Sequence, residues 1–152
     1  IKLGCTQTDA STRIGIGAYQ ECTPKDKFTT EQFTIGDPRS LDEIIREVGE
    51  MGMISSFCTA GYRCGRTGDT IMGMLKHCVE GKFCKLNAVL TYREYLDDYA
   101  SPETKAIGEA LIEREMGEIR SQDFFMKNDG KIFNEFMKNY EFIKNGKRDV
   151  YI

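Results

Sequence analysis

The sequence predicts an α/β chain, a strand–helix–strand unit followed by a run of helices. Three observations carry that reading. Apolar residues open the chain at Ile1 and Leu3 and recur as a short run at Met53–Phe57, the length and density of buried strands. Between them Leu41, Ile44, Ile45 and Val48 repeat at helical spacing,. Behind them, from about Asp69 onward, the apolar spacing is helical almost throughout.

Taken in order, residues 1–9 read as a strand that ends in the polar groups Thr6, Gln7, Thr8 and Asp9. The stretch Arg13–Tyr19 carries glycines at Gly15 and Gly17, which let backbone approach a ligand or a neighbouring strand. Residues 20–36 are loop-like, with Pro24 and many polar side chains. Ser40 with Glu43 three residues on forms a capping box, and Gly52 suits the left-handed position after the helix. Residues 53–58 are expected as a second, buried strand. Strand, helix and strand make a β-α-β unit with parallel strands and a right-handed crossover.

Asp69 or Thr70 caps an expected helix to about Val79, and residues 80–90 are expected as a loop. Thr91 and Glu94 read as a second capping box. Ser101-Pro102 opens a further helix, with proline in its first turn. Asn128-Asp129-Gly130 reads as a turn. Ile132, Phe133, Phe136, Met137, Tyr140 and Ile143 mark a last amphipathic helix that stops at Asn145-Gly146. The organisation expected is residues 1–58 as one part and 59–152, helical, as the other.

Composition narrows the function. Apolar residues are 40% of the 152, and the formal charge is −3. Basic residues alternate with acidic ones and form no stripe, which argues against nucleic acid. No apolar run is long enough to span a bilayer. The balance points to a cytoplasmic protein. Of the six cysteines, Cys58, Cys64, Cys78 and Cys84 crowd one stretch with glycine and arginine between them. In that compartment such a cluster binds metal or an iron–sulfur centre more often than it forms disulfides. A structural zinc site, drawing also on His77, is the other metal reading. The stretch begins where the second expected strand ends, which is where α/β sheets and barrels bind ligands. The chain opens abruptly inside an expected strand, as part of a longer polypeptide would.

Several motifs resemble one family. LGCTQTDASTRIGIG (Leu3–Gly17), DPRSLDE (Asp37–Glu43), SFCTA (Ser56–Ala60), GRTGD (Gly65–Asp69), NAVLT (Asn87–Thr91) and EYLDDYASPET (Glu94–Thr104) are similar to the C-terminal part of the HydG-type [FeFe]-hydrogenase maturases. These are radical S-adenosylmethionine tyrosine lyases related to the thiamine-synthesis enzyme ThiH. The resemblance implies the last strands and helices of a (β/α)8 barrel followed by a helical C-terminal extension. It implies that tyrosine is cleaved to p-cresol and dehydroglycine. The latter then yields carbon monoxide and cyanide on an auxiliary iron–sulfur cluster, for delivery to hydrogenase maturation proteins. The 4Fe–4S cluster and S-adenosylmethionine that start this chemistry need a CxxxCxxC loop, which this chain lacks, so they belong to an N-terminal part. Alone, this chain is expected to be inactive, and an N-terminal half-barrel or a second copy would have to complete it.

The resemblance also implies site residues. Arg13 matches the arginine that anchors the substrate's carboxylate, a task suited to a planar guanidinium, and Ser11 or Thr12 can add a hydroxyl. A structural salt bridge from Arg13 to Asp9 or Asp37 is the other reading. For the auxiliary cluster, Cys58 and Cys84 match the first and third ligands. The second position is Gly61, which has no thiolate to give. Cys64 stands in, or Cys78 does, or the site has lost its cluster. The last case makes the chain a non-catalytic metal-binding or scaffold remnant.

Overall fold

The computed structural model describes Thr8, Ala10 to Thr12, Asp37, residues 39–57, Asp69, Gly73 and residues 79–152. The chain divides into two units, Ile1–Ile44 and Ile45–Ile152. The longer helices are α1 (Leu41–Glu50), α2 (Val79–Asp98), α3 (Pro102–Ser121) and α4 (Asp123–Lys144).

The expected α/β class is overturned, for there is no strand or sheet among the described residues. Residues 53–57 of the strand expected over 53–58 run irregularly, and no remnant of a (β/α)8 barrel is seen among the described residues. A strand exists only where another strand accepts its backbone hydrogen bonds. An apolar run signals burial but cannot supply that partner. Here Ile54 and Phe57 pack instead against a helical core, and the Phe57 ring stacks on Tyr95 with centroids 5.0 Å apart. Of the first expected strand, residues 1–7 and Asp9 lie outside the described residues, and Thr8 belongs to no regular element.

The start of α1 follows its sequence. The Ser40 hydroxyl oxygen accepts from the Glu43 N–H at 3.3 Å, and the Glu43 carboxylate accepts from the Ser40 N–H at 2.8 Å. This is the reciprocal capping box. At the other end Gly52 has φ +80°. Its N–H donates to Gly49 O at 2.8 Å and that of Met53 to Val48 O at 3.1 Å, the Schellman closure. Ile44, Ile45 and Val48 are buried, whereas Leu41 in the first turn is exposed.

The helix α2 corrects the sequence reading. Residues 80–90 are not a loop but its first half, and Thr91 is no cap. The Thr91 hydroxyl donates back to the carbonyls of Asn87 at 3.0 Å and Ala88 at 3.3 Å. Leu86, Ala88, Val89, Leu90, Tyr92, Tyr95 and Leu96 are all buried. A helix packed on more than one side shows no single apolar stripe for periodicity to find.

The next helix, α3, begins as expected. Ser101 caps it, accepting from the Thr104 N–H at 3.3 Å, with proline in the first turn. The last helix, α4, starts earlier than its pattern predicted and runs through Asn128-Asp129-Gly130. The turn signal survives there only as a positive φ of +69° at Gly130. It ends at Asn145-Gly146 with a second Schellman closure, Gly146 N to Ile143 O at 2.8 Å and Lys147 N to Phe142 O at 3.0 Å. The helices α2, α3 and α4 each pack on the other two, around Leu90, Leu96, Ile112, Ile119, Phe125 and Phe136.

Residues after α4 are strapped to α2 and α4. The Asn87 carboxamide accepts from the Ile152 N–H at 2.9 Å and donates to its carbonyl at 3.1 Å. Asn139 donates to Tyr151 O at 3.1 Å, and Arg148 forks onto Asp98.

Candidate functional site

In the first unit the described residues that bear on a site are Ser11 and Thr12. Ser11 sits at φ 59°, a left-handed conformation uncommon outside glycine. Two bonds hold it there, its N–H to Arg39 O at 2.8 Å and its hydroxyl to the same carbonyl at 3.2 Å. The Thr12 N–H donates to Asp37 O at 3.2 Å. The Asp37 carboxylate takes the Arg39 guanidinium in a two-point fork, with Nε at 2.9 Å and 3.0 Å and Nη2 at 2.5 Å. The backbone that leads into Arg13 is therefore set by main-chain bonds and by that fork. A substrate carboxylate would compete with Arg39 O for the Ser11 hydroxyl. Arg13 itself lies outside the described residues.

Of the four candidate thiols, Cys58, Cys64 and Cys78 lie outside the described residues, as do Gly61 and His77. Cys84 is exposed on α2. Among the described residues no three His, Cys, Asp or Glu side chains are grouped to hold a metal ion.

Beside Cys84 a polar chain crosses the second unit. The Lys85 ammonium lies 2.8 Å from Glu115 Oε2 and 2.6 Å from Glu118. The other Glu115 oxygen, Oε1, accepts from Arg114 at 2.7 Å. Arg114 also donates to Gly52 O at 2.7 Å. Glu115 is 9% exposed. Burial pushes its carboxyl up, but bonds from Lys85 and Arg114 outweigh this and hold it below its usual range. Burial likewise lowers Lys85, and the two glutamates more than restore it. Sequence reading passed Glu115 over. The available signal was its register, since it lies three residues after Ile112 and four before Ile119 on the apolar side of α3, where an ionised group needs partners.

A cleft of about 630 Å³ opens between α2, α3 and α4, lined among others by Arg93, Glu109, Met116, Arg120, Tyr140 and Lys144. Arg93 is committed to Asp97 and lies 3.4 Å from Glu109. The Arg120 guanidinium stands 5.5 Å from the Phe133 ring centroid. Burial raises the Tyr140 hydroxyl above its ordinary value. Cys84, the described thiol candidate in this unit, does not line this cleft.

No family model matches the chain, and no curated protein does. Among solved structures, the crystal structure of HydG, a maturase of the [FeFe]-hydrogenase, is similar at 38% identity with a TM-score of 0.70. The similarity covers 91% of this chain and 27% of that one, so this chain spans about a quarter of the length of the protein it resembles. No helix among the described residues is long and apolar enough to cross a membrane. By sequence and by structure together, this chain is similar to about a quarter of the [FeFe]-hydrogenase maturase HydG.

Proposed function

We propose that the chain serves [FeFe]-hydrogenase maturation in the cytoplasm, as part of a HydG-type enzyme, and contributes the auxiliary iron–sulfur site. The observation that carries this reading is the 38% identity to HydG over 91% of the chain. Cys58 and Cys84 are the primary thiolate donors, with Cys64 or Cys78 in place of the donor missing at Gly61. Cys84 fits such a role, because its thiol is exposed on a helix that Lys85 ties down through two ion pairs. Ligands on rigid elements hold their geometry. Once bound, the cluster supplies thiolate-held iron at which carbon monoxide and cyanide are collected. Arg13 grips the carboxylate of tyrosine, with Ser11 or Thr12 adding a hydroxyl. Cleavage of tyrosine to p-cresol and dehydroglycine belongs to the longer protein, whose N-terminal part brings S-adenosylmethionine and its 4Fe–4S cluster. Hydrogenase maturation proteins receive the product.

A second reading is favoured by Gly61, which stands where the family has a cysteine. In it the chain is a non-catalytic metal-binding or scaffold remnant without the cluster. Anaerobic reconstitution with iron and sulfide separates the two. The first reading expects a brown protein with an EPR signal after reduction, lost in Cys58→Ser and Cys84→Ser. A colourless protein whose Cys58→Ser variant behaves like the parent supports the remnant. Zinc in protein purified without added metal, measured by elemental analysis, would point to a structural zinc site instead.

A further inference from the structure

The four candidate thiols lie on one stretch, and its two described flanks converge on α3. Residues 52–57 lead toward Cys58. Gly52 O is held by Arg114 at 2.7 Å, and five residues on, the Phe57 ring stacks on Tyr95. At the far end Lys85, next to Cys84, is held by Glu115 at 2.8 Å. Glu115 joins the two flanks, because its Oε1 binds Arg114 at 2.7 Å while its Oε2 binds Lys85.

We infer that Glu115 is a positioning residue for the cysteine-bearing stretch, its carboxylate setting the gap between the two described flanks of that stretch, at Gly52 and at Lys85. This rests on the auxiliary-cluster reading above. The task needs a carboxylate in this place. Two acceptor oxygens satisfy two cations at once, whereas a carboxamide has one acceptor and turns a donor toward the second cation. Glu118 is no substitute. Its side chain is 53% exposed, and although it reaches Lys85 it comes only to 4.0 Å from Arg114. The Glu115 side chain is 11% exposed, so packing fixes where its two oxygens point.

Two measurements on the whole chain test this. The first reads the gap without a cluster. Spin labels are placed at Ser56→Cys and at Cys84, with the other five cysteines changed to serine, and the distance is measured by pulsed EPR. The parent is expected to give one narrow distribution. Glu115→Gln should broaden or shift it, and Glu118→Gln should not. The second measurement reconstitutes the cluster in the parent, Glu115→Gln and Arg114→Ala. Arg114 is 46% exposed, so its loss frees Gly52 with the fold kept should Glu115→Gln unfold the protein. Both variants are expected to bind at least threefold less iron and to shift the EPR line shape, while Glu118→Gln matches the parent. An unchanged distance distribution in both Glu115→Gln and Arg114→Ala overturns the positioning role. So does an unchanged cluster spectrum in both. If the parent takes up no iron while the gap still depends on Glu115, the cluster reading fails and with it the role of that gap in ligation.

Discussion

Gly108 on α3 leaves room for the Leu96 side chain of α2, and it yields a test of how these helices pack. A Cβ at Gly108 would stand 2.6 Å from both Leu96 methyl carbons and 3.1 Å from its Cγ. Comfortable carbon contacts lie at about 3.5–4.0 Å, so an added methyl needs roughly 1 Å of room. Leu96 is 1% exposed and has no open side to swing toward. Overpacking of this kind costs about 1–3 kcal/mol. Alanine's better helix propensity returns about 1 kcal/mol. Gly108→Ala should therefore destabilise the protein by about 1 kcal/mol, where an open helical glycine would have gained that much. Leu96→Ala alone should cost about 2–5 kcal/mol through the cavity it leaves. In the double variant the new methyl meets no clash and refills part of that void. The double should then be at least about 1 kcal/mol more stable than the sum of the singles, within the range of coupling between touching residues. Urea unfolding of the parent, both singles and the double supplies the four numbers. A Gly108→Ala protein more stable than the parent, or singles that add to within about 0.5 kcal/mol, would refute this account of the contact.

Gly117 has open space around its Cβ position, whereas Gly130 sits at φ +69°. Gly117→Ala should raise stability by roughly 1 kcal/mol and Gly130→Ala should lower it by about as much, opposite Tm shifts that a calorimeter resolves. Asn87→Ala removes both bonds to the Ile152 main chain at a cost of about 1–2 kcal/mol, and exchange of the Ile152 amide should speed up roughly tenfold. An unchanged rate would mean that the Ile152 end of the strap is held without Asn87. Burial pushes the Asp97 carboxyl up, but Arg93 and Lys105 outweigh it and hold it below its ordinary value of 3.8. The unfolded state then binds the proton more readily, so this contribution is full above pH 3.8 and is lost as pH falls through the lower folded value. Between pH 7 and pH 3 the parent's urea midpoint should drop further than that of Asp97→Asn, and equal drops would contradict the pairing.

What could be read from the sequence was local. The capping box at Ser40 and Glu43, the left-handed Gly52, the Ser101-Pro102 start and the Asn145-Gly146 stop all stand where their residue types placed them. Each such device closes within a few residues, so composition alone specifies it. The similarity to HydG was also legible, since runs such as Glu94–Thr104 resemble the family whatever conformation they take. What the sequence could not decide was anything that needs a distant partner. Met53–Phe57 has the apolar density of a strand, yet neighbours choose between pairing and packing, and a helical core claimed Ile54 and Phe57. The first half of α2 was hidden because burial on several sides erases the one-sided stripe. Glu115 announced only that a carboxylate lay on an apolar face. Its link to Gly52 through Arg114, and to Lys85, exists because α3 brings together residues far apart along the chain, and long-range electrostatic partners are set by tertiary packing rather than by spacing.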